Sequence, residues 1–133
     1  MKIDFCIKEF PDDLSKSYAL DSFTEGDLSV EIEGKTVFDE PGILIVEFYL
    51  ALKKWLDNHE ESVVTDFIYE SMDFEESPIL AFIYIPASGL YKFDSVWKVD
   101  EARVLFKEIE AAYEDFKERL IADVYERSSY KLE

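Results

Sequence analysis

The chain reads as an α+β domain: a single, mostly antiparallel sheet of about five to six strands carrying two helices, in the order β-β-β-α-β-β-β-α. Three observations predict this. Short stretches alternate apolar and polar residues between turn residues, the pattern of hairpins and meanders. One run, 43–57, stays apolar for too long to be a strand. The last third carries an apolar stripe at helical spacing.

In residues 1–10, Ile3, Phe5 and Ile7 face one way and Lys2, Asp4 and Lys8 the other, giving a half-buried strand that Pro11-Asp12-Asp13 ends. Residues 14–26 have weak periodicity and read as a loop or an irregular edge. Leu28, Val30 and Ile32 then alternate with Asp27, Ser29, Glu31 and Glu33; Gly34 turns the chain, and Thr36-Val37-Phe38 returns it as a hairpin. Asp39-Glu40-Pro41-Gly42 reads as a break. Ile43-Leu44-Ile45-Val46 alone would suit a buried strand, but the run continues through Phe48, Tyr49, Leu50, Leu52, Trp55 and Leu56, and its length decides for a helix over 43–57. Asp39 and Glu40 near its start and Lys53 and Lys54 near its end suit the helix dipole. A helix apolar on almost every side belongs at the centre of a core.

Residues 63–70 read as a strand, with Asp66, Ile68 and Glu70 on one face and Val63, Thr65, Phe67 and Tyr69 on the other, Tyr69 being near enough to the strand end to reach either side. An acidic loop, 71–77, follows. Ile79 to Ile85 is apolar on both faces and is placed mid-sheet. Pro86-Ala87-Ser88-Gly89 turns it into a further strand, Leu90 to Trp97. Asp100 is a candidate N-cap for the final helix, whose stripe is Ala102, Leu105, Phe106, Ile109, Ala112, Tyr113, Phe116, Leu120 and Val124. On its outer face, Asp115/Arg119 and Asp123/Arg127 are spaced to pair.

A length of 133 residues suits one domain over 1–133, and 48% apolar with 16% aromatic content supplies a core that a disordered acidic tail would lack. The net charge of −17 is spread along the whole chain. It argues against direct binding to nucleic acid, which needs clustered Lys and Arg, and against anionic membranes. A cationic protein is the partner class it favours; the plainer reading is that acidity only keeps the chain soluble. Cys6 is the only cysteine, so neither an intramolecular disulfide nor a cysteine-based zinc site is expected. It reads as a small packing residue in a reducing compartment. Met1-Lys2-Ile3-Asp4 lacks the apolar run of a signal peptide, and the most apolar stretch, 42–52, contains Glu47 and is too short to span a bilayer. A cytoplasmic location is therefore expected.

Little in the chain resembles catalytic chemistry. His59, the only histidine, lies in Asp57-Asn58-His59-Glu60-Glu61 and reads as a solvated helix-end residue. No Gly-x-Ser-x-Gly segment accompanies it, and Cys6 has no electropositive setting. The four glycines, at 26, 34, 42 and 89, are too scattered to cradle a phosphate. Asp73, Glu75 and Glu76 could hold a divalent ion weakly, but a solvated acidic loop accounts for them more simply. With 31 acids, close carboxylate pairs are inevitable and do not single out a glycosidase. The expectation is no enzyme, with no catalytic residues, metal or cofactor. Trp55 reads as core and Trp97, at a strand end, as a rim aromatic suited to binding.

The most telling segment runs from Trp55 to Tyr91. It contains no Lys or Arg, yet carries Asp57, Glu60, Glu61, Asp66, Glu70, Asp73, Glu75 and Glu76 beside Phe67, Tyr69, Phe74 and Tyr84. A one-sign patch interleaved with aromatics projects a negative potential and offers apolar contact area. The expected contact surface spans 57–76, with Asp66, Glu70, Asp73, Glu75 and Glu76 as charged members, Tyr69 and Phe74 as apolar anchors, and Trp97 at the rim. The protein is expected to be a monomer or homodimer.

In size, charge and α+β build the whole chain resembles the small acidic immunity proteins of bacterial toxin systems. The segments Phe38-Asp39-Glu40-Pro41-Gly42-Ile43-Leu44 and Phe67-Ile68-Tyr69-Glu70-Ser71 also resemble uncharacterised small bacterial proteins. The first resemblance implies a cytoplasmic inhibitor that covers the substrate site of a basic toxin domain. Against a nuclease, acidic side chains would stand in for phosphates and aromatics would fill the base-stacking surface. Two other classes stay open: a DNA mimic or acidic adaptor of a nucleic-acid-binding protein, and a structural or regulatory domain whose charge only solubilises it.

Overall fold

The computed structural model describes residues 1–60, 62–71, 74–97 and 101–133. Its elements are β1 (Lys2–Glu9), α1 (Ala19–Phe23), β2 (Glu25–Ile32), β3 (Lys35–Leu44), α2 (Ile45–Asp57), β4 (Phe67–Tyr69), β5 (Leu80–Ile85), β6 (Leu90–Asp94), β7 (Arg103–Val104) and α3 (Phe106–Ser128). The class is α+β as expected, but the strands form two antiparallel sheets, β1-β2-β3 and β4-β5-β6-β7, and not one.

The division arises at the β3–α2 junction. Leu44 ends the strand, Ile45 begins the helix without a loop, and the Ile45 N–H donates to the Thr24 carbonyl at 2.9 Å. The helix carries the chain away from β3, and β4 then pairs with β5 to start a second sheet. Alternation fixes which face of a strand is buried, but not which strand lies beside it.

The same junction corrects the expected break at 39–42. The strand runs through it, Pro41 being tolerated on an edge strand and Gly42 taking a φ of +72° where the register shifts. Asp39 and Glu40 therefore lie in β3; the acid in the first turn of α2 is Glu47. Opposite the same irregularity, Gly26 lies so close to β1 that a Cβ would sit 2.0 Å from the Cys6 carbonyl oxygen.

Three further differences concern element ends. α1 occupies part of the expected loop, burying Ala19 and Leu20. β4 is three residues long where eight were expected, and β6 stops at Asp94. The final helix begins at Phe106, after the two-residue β7, with the Glu108 carboxylate accepting the Leu105 N–H at 3.1 Å. Asp100, the expected N-cap, lies outside the described residues.

One hydrophobic cluster runs through both sheets and the helices. α2 supplies its centre: the Phe48 ring lies 5.3 Å from Tyr69, 5.8 Å from Phe116 and 6.2 Å from Phe67. Phe38 of β3 meets Phe93 of β6 at 6.3 Å and joins the sheets. The stripe of α3 is buried from Ile109 to Val124, with Tyr113 stacked on Tyr49 at 5.9 Å. Among the described residues both phenol oxygens are buried with no hydrogen-bond partner beyond each other's hydroxyl, and burial, followed by the neighbouring Tyr49, raises the Tyr113 pKa. Arg119 ties α3 to β1: it donates to Asp115 at 2.9 Å, to Asp4 at 2.8 Å and to the Ile3 carbonyl, and lies over the Phe5 ring.

Cys6 is exposed, which corrects the packing assignment. Strand alternation puts it with Lys2, Asp4 and Lys8, opposite Asp27 on the outer face. Among the described residues, no helix is long and apolar enough to cross a membrane.

Candidate functional site

The acidic segment folds around β4, the last strand of the second sheet. Phe67 pairs with Phe82 and Tyr69 with Leu80, and both β4 side chains point into the core. Ile68, between them, is 52% exposed. The chain enters β4 under a fixed constraint: the Trp55 indole N–H donates to the Thr65 carbonyl at 3.3 Å and to its hydroxyl at 3.1 Å. Trp55 itself is half-buried, 5.6 Å from Phe67 and from Phe106. A groove of about 390 Å³ runs between α2 and β4, lined by Ala51, Lys54, Trp55, Thr65, Phe67 and Ile68 among others.

The expected contact residues divide sharply. Tyr69 is 1% exposed, and its hydroxyl donates to Glu47 Oε1 at 2.7 Å. It is a core residue, not a surface anchor, because alternation turns it inward with Phe67 and the helix supplies a carboxylate for its phenol. Asp66 is exposed but accepts the Tyr84 N–H at 2.8 Å, so its carboxylate extends the β4–β5 pairing. Glu70, Glu75 and Glu76 are exposed. Asp73 lies outside the described residues.

Phe74 and Trp97, far apart in sequence, come together edge to face at 5.2 Å, and Trp97 also meets Phe38 at 6.3 Å. Both are half-buried, so Phe74 and Trp97 together form an aromatic shelf that is partly open to the surface. Ser95 fixes the shelf: its hydroxyl donates to the Ile79 carbonyl at 2.6 Å and accepts the Trp97 N–H at 3.1 Å. The Val96 N–H donates to the Pro78 carbonyl at 2.8 Å.

Among the described residues, Glu60, Glu70, Glu75 and Glu76 take part in no ion pair. The segment 55–91 supplies no Lys or Arg to offset them, although Asp57 at its start is paired with Lys53 of α2 at 3.2 Å. Deeper in, burial raises the Tyr91 pKa, and the nearby Tyr84 and Asp66 add to the shift. His59 is not the solvated residue expected. Its ring stacks on Phe106 at 3.8 Å, and Nδ1 is buried with no hydrogen-bond partner among the described residues. The sequence reading named Ile68 only as a strand residue, although alternation with Asp66 and Glu70 already placed it on the outer face. No group of three or more potential metal ligands is assembled among the described residues.

Fold and surface together define a small acidic α+β domain with an open sheet edge. Residues 3–126 match the family described as Domain of unknown function (DUF7878), and the chain belongs to that family. Neither a curated protein nor a solved structure matches it.

Proposed function

We propose that the protein is a non-catalytic, cytoplasmic protein-binding domain whose acidic face around β4 takes a basic protein partner. The observation that carries this reading is that Glu70, Glu75 and Glu76 are exposed without an ion pair among the described residues, in the same segment as Phe74, whose ring meets Trp97. Charge supplies steering and partner choice, and the rings supply area that excludes water. Glu70, Glu75 and Glu76, with the free side of Asp66, are the charged contacts; Phe74 and Trp97 are the apolar ones, and Asp73 belongs to the same loop in sequence. The resemblance to immunity proteins gives the partner a form: a toxin domain whose basic active site this face occludes.

The test begins with co-purification against the product of the adjacent upstream gene. The triple variant Glu70→Lys, Glu75→Lys and Glu76→Lys is then compared with the parent. It should fold and lose affinity by about a hundredfold or more, since like-charge contacts at an interface cost several kcal/mol. A folded variant that binds its partner unchanged would show that the acids only solubilise the chain. Association should also slow markedly from low to high salt, and a salt-independent rate counts against a charge-steered interface.

A further inference from the structure

We infer that the open edge of β4 receives an extended segment of the partner as an added strand, and that it selects the pattern basic–x–apolar–x–basic. This inference rests on the proposed acidic binding face and specifies how that face reads its partner.

The Tyr84 N–H is taken by the Asp66 carboxylate, so it points toward β4. Amides two residues apart in a strand point the same way, so those of Phe82 and Leu80 also face β4. These residues are opposite Phe67 and Tyr69, which therefore form the hydrogen-bonded pairs of the ladder. The N–H and C=O of Ile68 consequently point away from β5. β4 is the terminal strand, so they face an edge with which no other strand pairs among the described residues. Such an edge is a template for another strand unless charge or shape blocks it.

The side chains state what can use it. Ile68 is a half-exposed apolar residue, with exposed Asp66 and Glu70 two positions away on either side. In a paired strand, the residue opposite Ile68 would pack on it, and the residues two away would face Asp66 and Glu70. Basic residues suit those positions. A second copy of this chain, at −17, is repelled by the same acids, so the flanking charges select against self-pairing. Intermediate residues of the added strand would face the groove beside Trp55 and Ala51, whose volume of about 390 Å³ accommodates side chains there.

Three labelled peptides test this, with common flanks around the cores Lys-Thr-Val-Thr-Lys, Lys-Lys-Val-Thr-Thr, and the first core N-methylated at Val. The alternating peptide should bind at least about tenfold more tightly than the other two, because only it satisfies both the register and the edge hydrogen bond. Ile68→Pro should lose that preference, since it removes an N–H that points outward and leaves the β5 ladder intact. Circular dichroism checks its fold, and Ile68→Lys replaces it if proline disrupts the strand. Equal binding of the alternating and shuffled peptides, or full binding of the N-methylated one, overturns strand addition while leaving an acidic binding face standing. Binding of none of them also overturns it, and the charge-reversal experiment on the whole partner then decides the broader function separately.

Discussion

Helix α3 and the segment around β4 are both acidic, and they differ in the cations within reach of their acids. α3 carries seven acids and four bases. Arg119 joins Asp115 and Asp4, and Arg127 joins Asp123 at 2.7 Å. The segment 55–91 has eight acids and no base. Exposed ion pairs are individually weak, so the pairs on α3 matter chiefly where one cation holds several groups, as Arg119 does. The comparison teaches that acidity here has two roles. On α3 some acids have a cation within the helix, and Arg119 carries the pairing across to Asp4 of β1; around β4, Glu60, Glu70, Glu75 and Glu76 have none among the described residues, at a cost in self-repulsion.

The largest effect that would sharpen this contrast lies beneath α3. Phe116→Ala removes a ring packed against Phe5, Phe48 and Tyr49, and should cost about 3–5 kcal/mol in urea unfolding. Next comes Arg119→Ala, expected to cost about 1–3 kcal/mol because a carbonyl and two carboxylates lose a shared donor. Arg127→Ala, with one carboxylate partner, should stay below about 1 kcal/mol. Equal losses for the two arginines would break the distinction between fastening and decorative charge.

Tyr113→Phe is smaller still. It removes a buried hydroxyl that has no hydrogen-bond partner beyond the facing Tyr49 among the described residues, so stability at neutral pH should change by no more than about 1 kcal/mol. Its clearer signature is alkaline. Burial raises the folded-state pKa above the ordinary value of 10.0, so this phenol's contribution is intact below that pH and is lost as pH rises beyond it. The variant should lose less stability than the parent between neutral and strongly alkaline pH; identical curves would remove Tyr113 as a cause. The smallest effect belongs to the acidic face. Lysine at 70, 75 and 76 should shift stability by about 0.5 kcal/mol or less per site, read from thermal unfolding. A loss as large as that of Phe116→Ala would mean these acids support the fold.

Element types were legible where one periodicity ran long, as in the stripe from Ile109 to Val124 or the alternation of β1. The division into two sheets was not, because Ile43 and Leu44 continue one apolar run with Ile45 and Val46, although a strand ends and a helix begins between them. The outward acids and the inward Phe67 followed from alternation alone. The hydrogen bond that holds the Tyr69 phenol is accepted by Glu47, twenty-two residues earlier, and the stacking of His59 required Phe106 from another element. Contacts of that kind are set by tertiary packing, which local pattern does not encode.

The Arg119 tie also orders events in time. Asp4 and Arg119 are 115 residues apart, and Phe5 meets Phe116 over a similar separation. At ordinary synthesis rates, β1 leaves the ribosome on the order of ten seconds before the helix that completes it. Until then its apolar face, Ile3 and Ile7, lacks α3, and the distant contact must pay loop-closure entropy before it contributes. During that interval a nascent β1–β2–β3 sheet is the species most exposed to chaperone capture and misassociation.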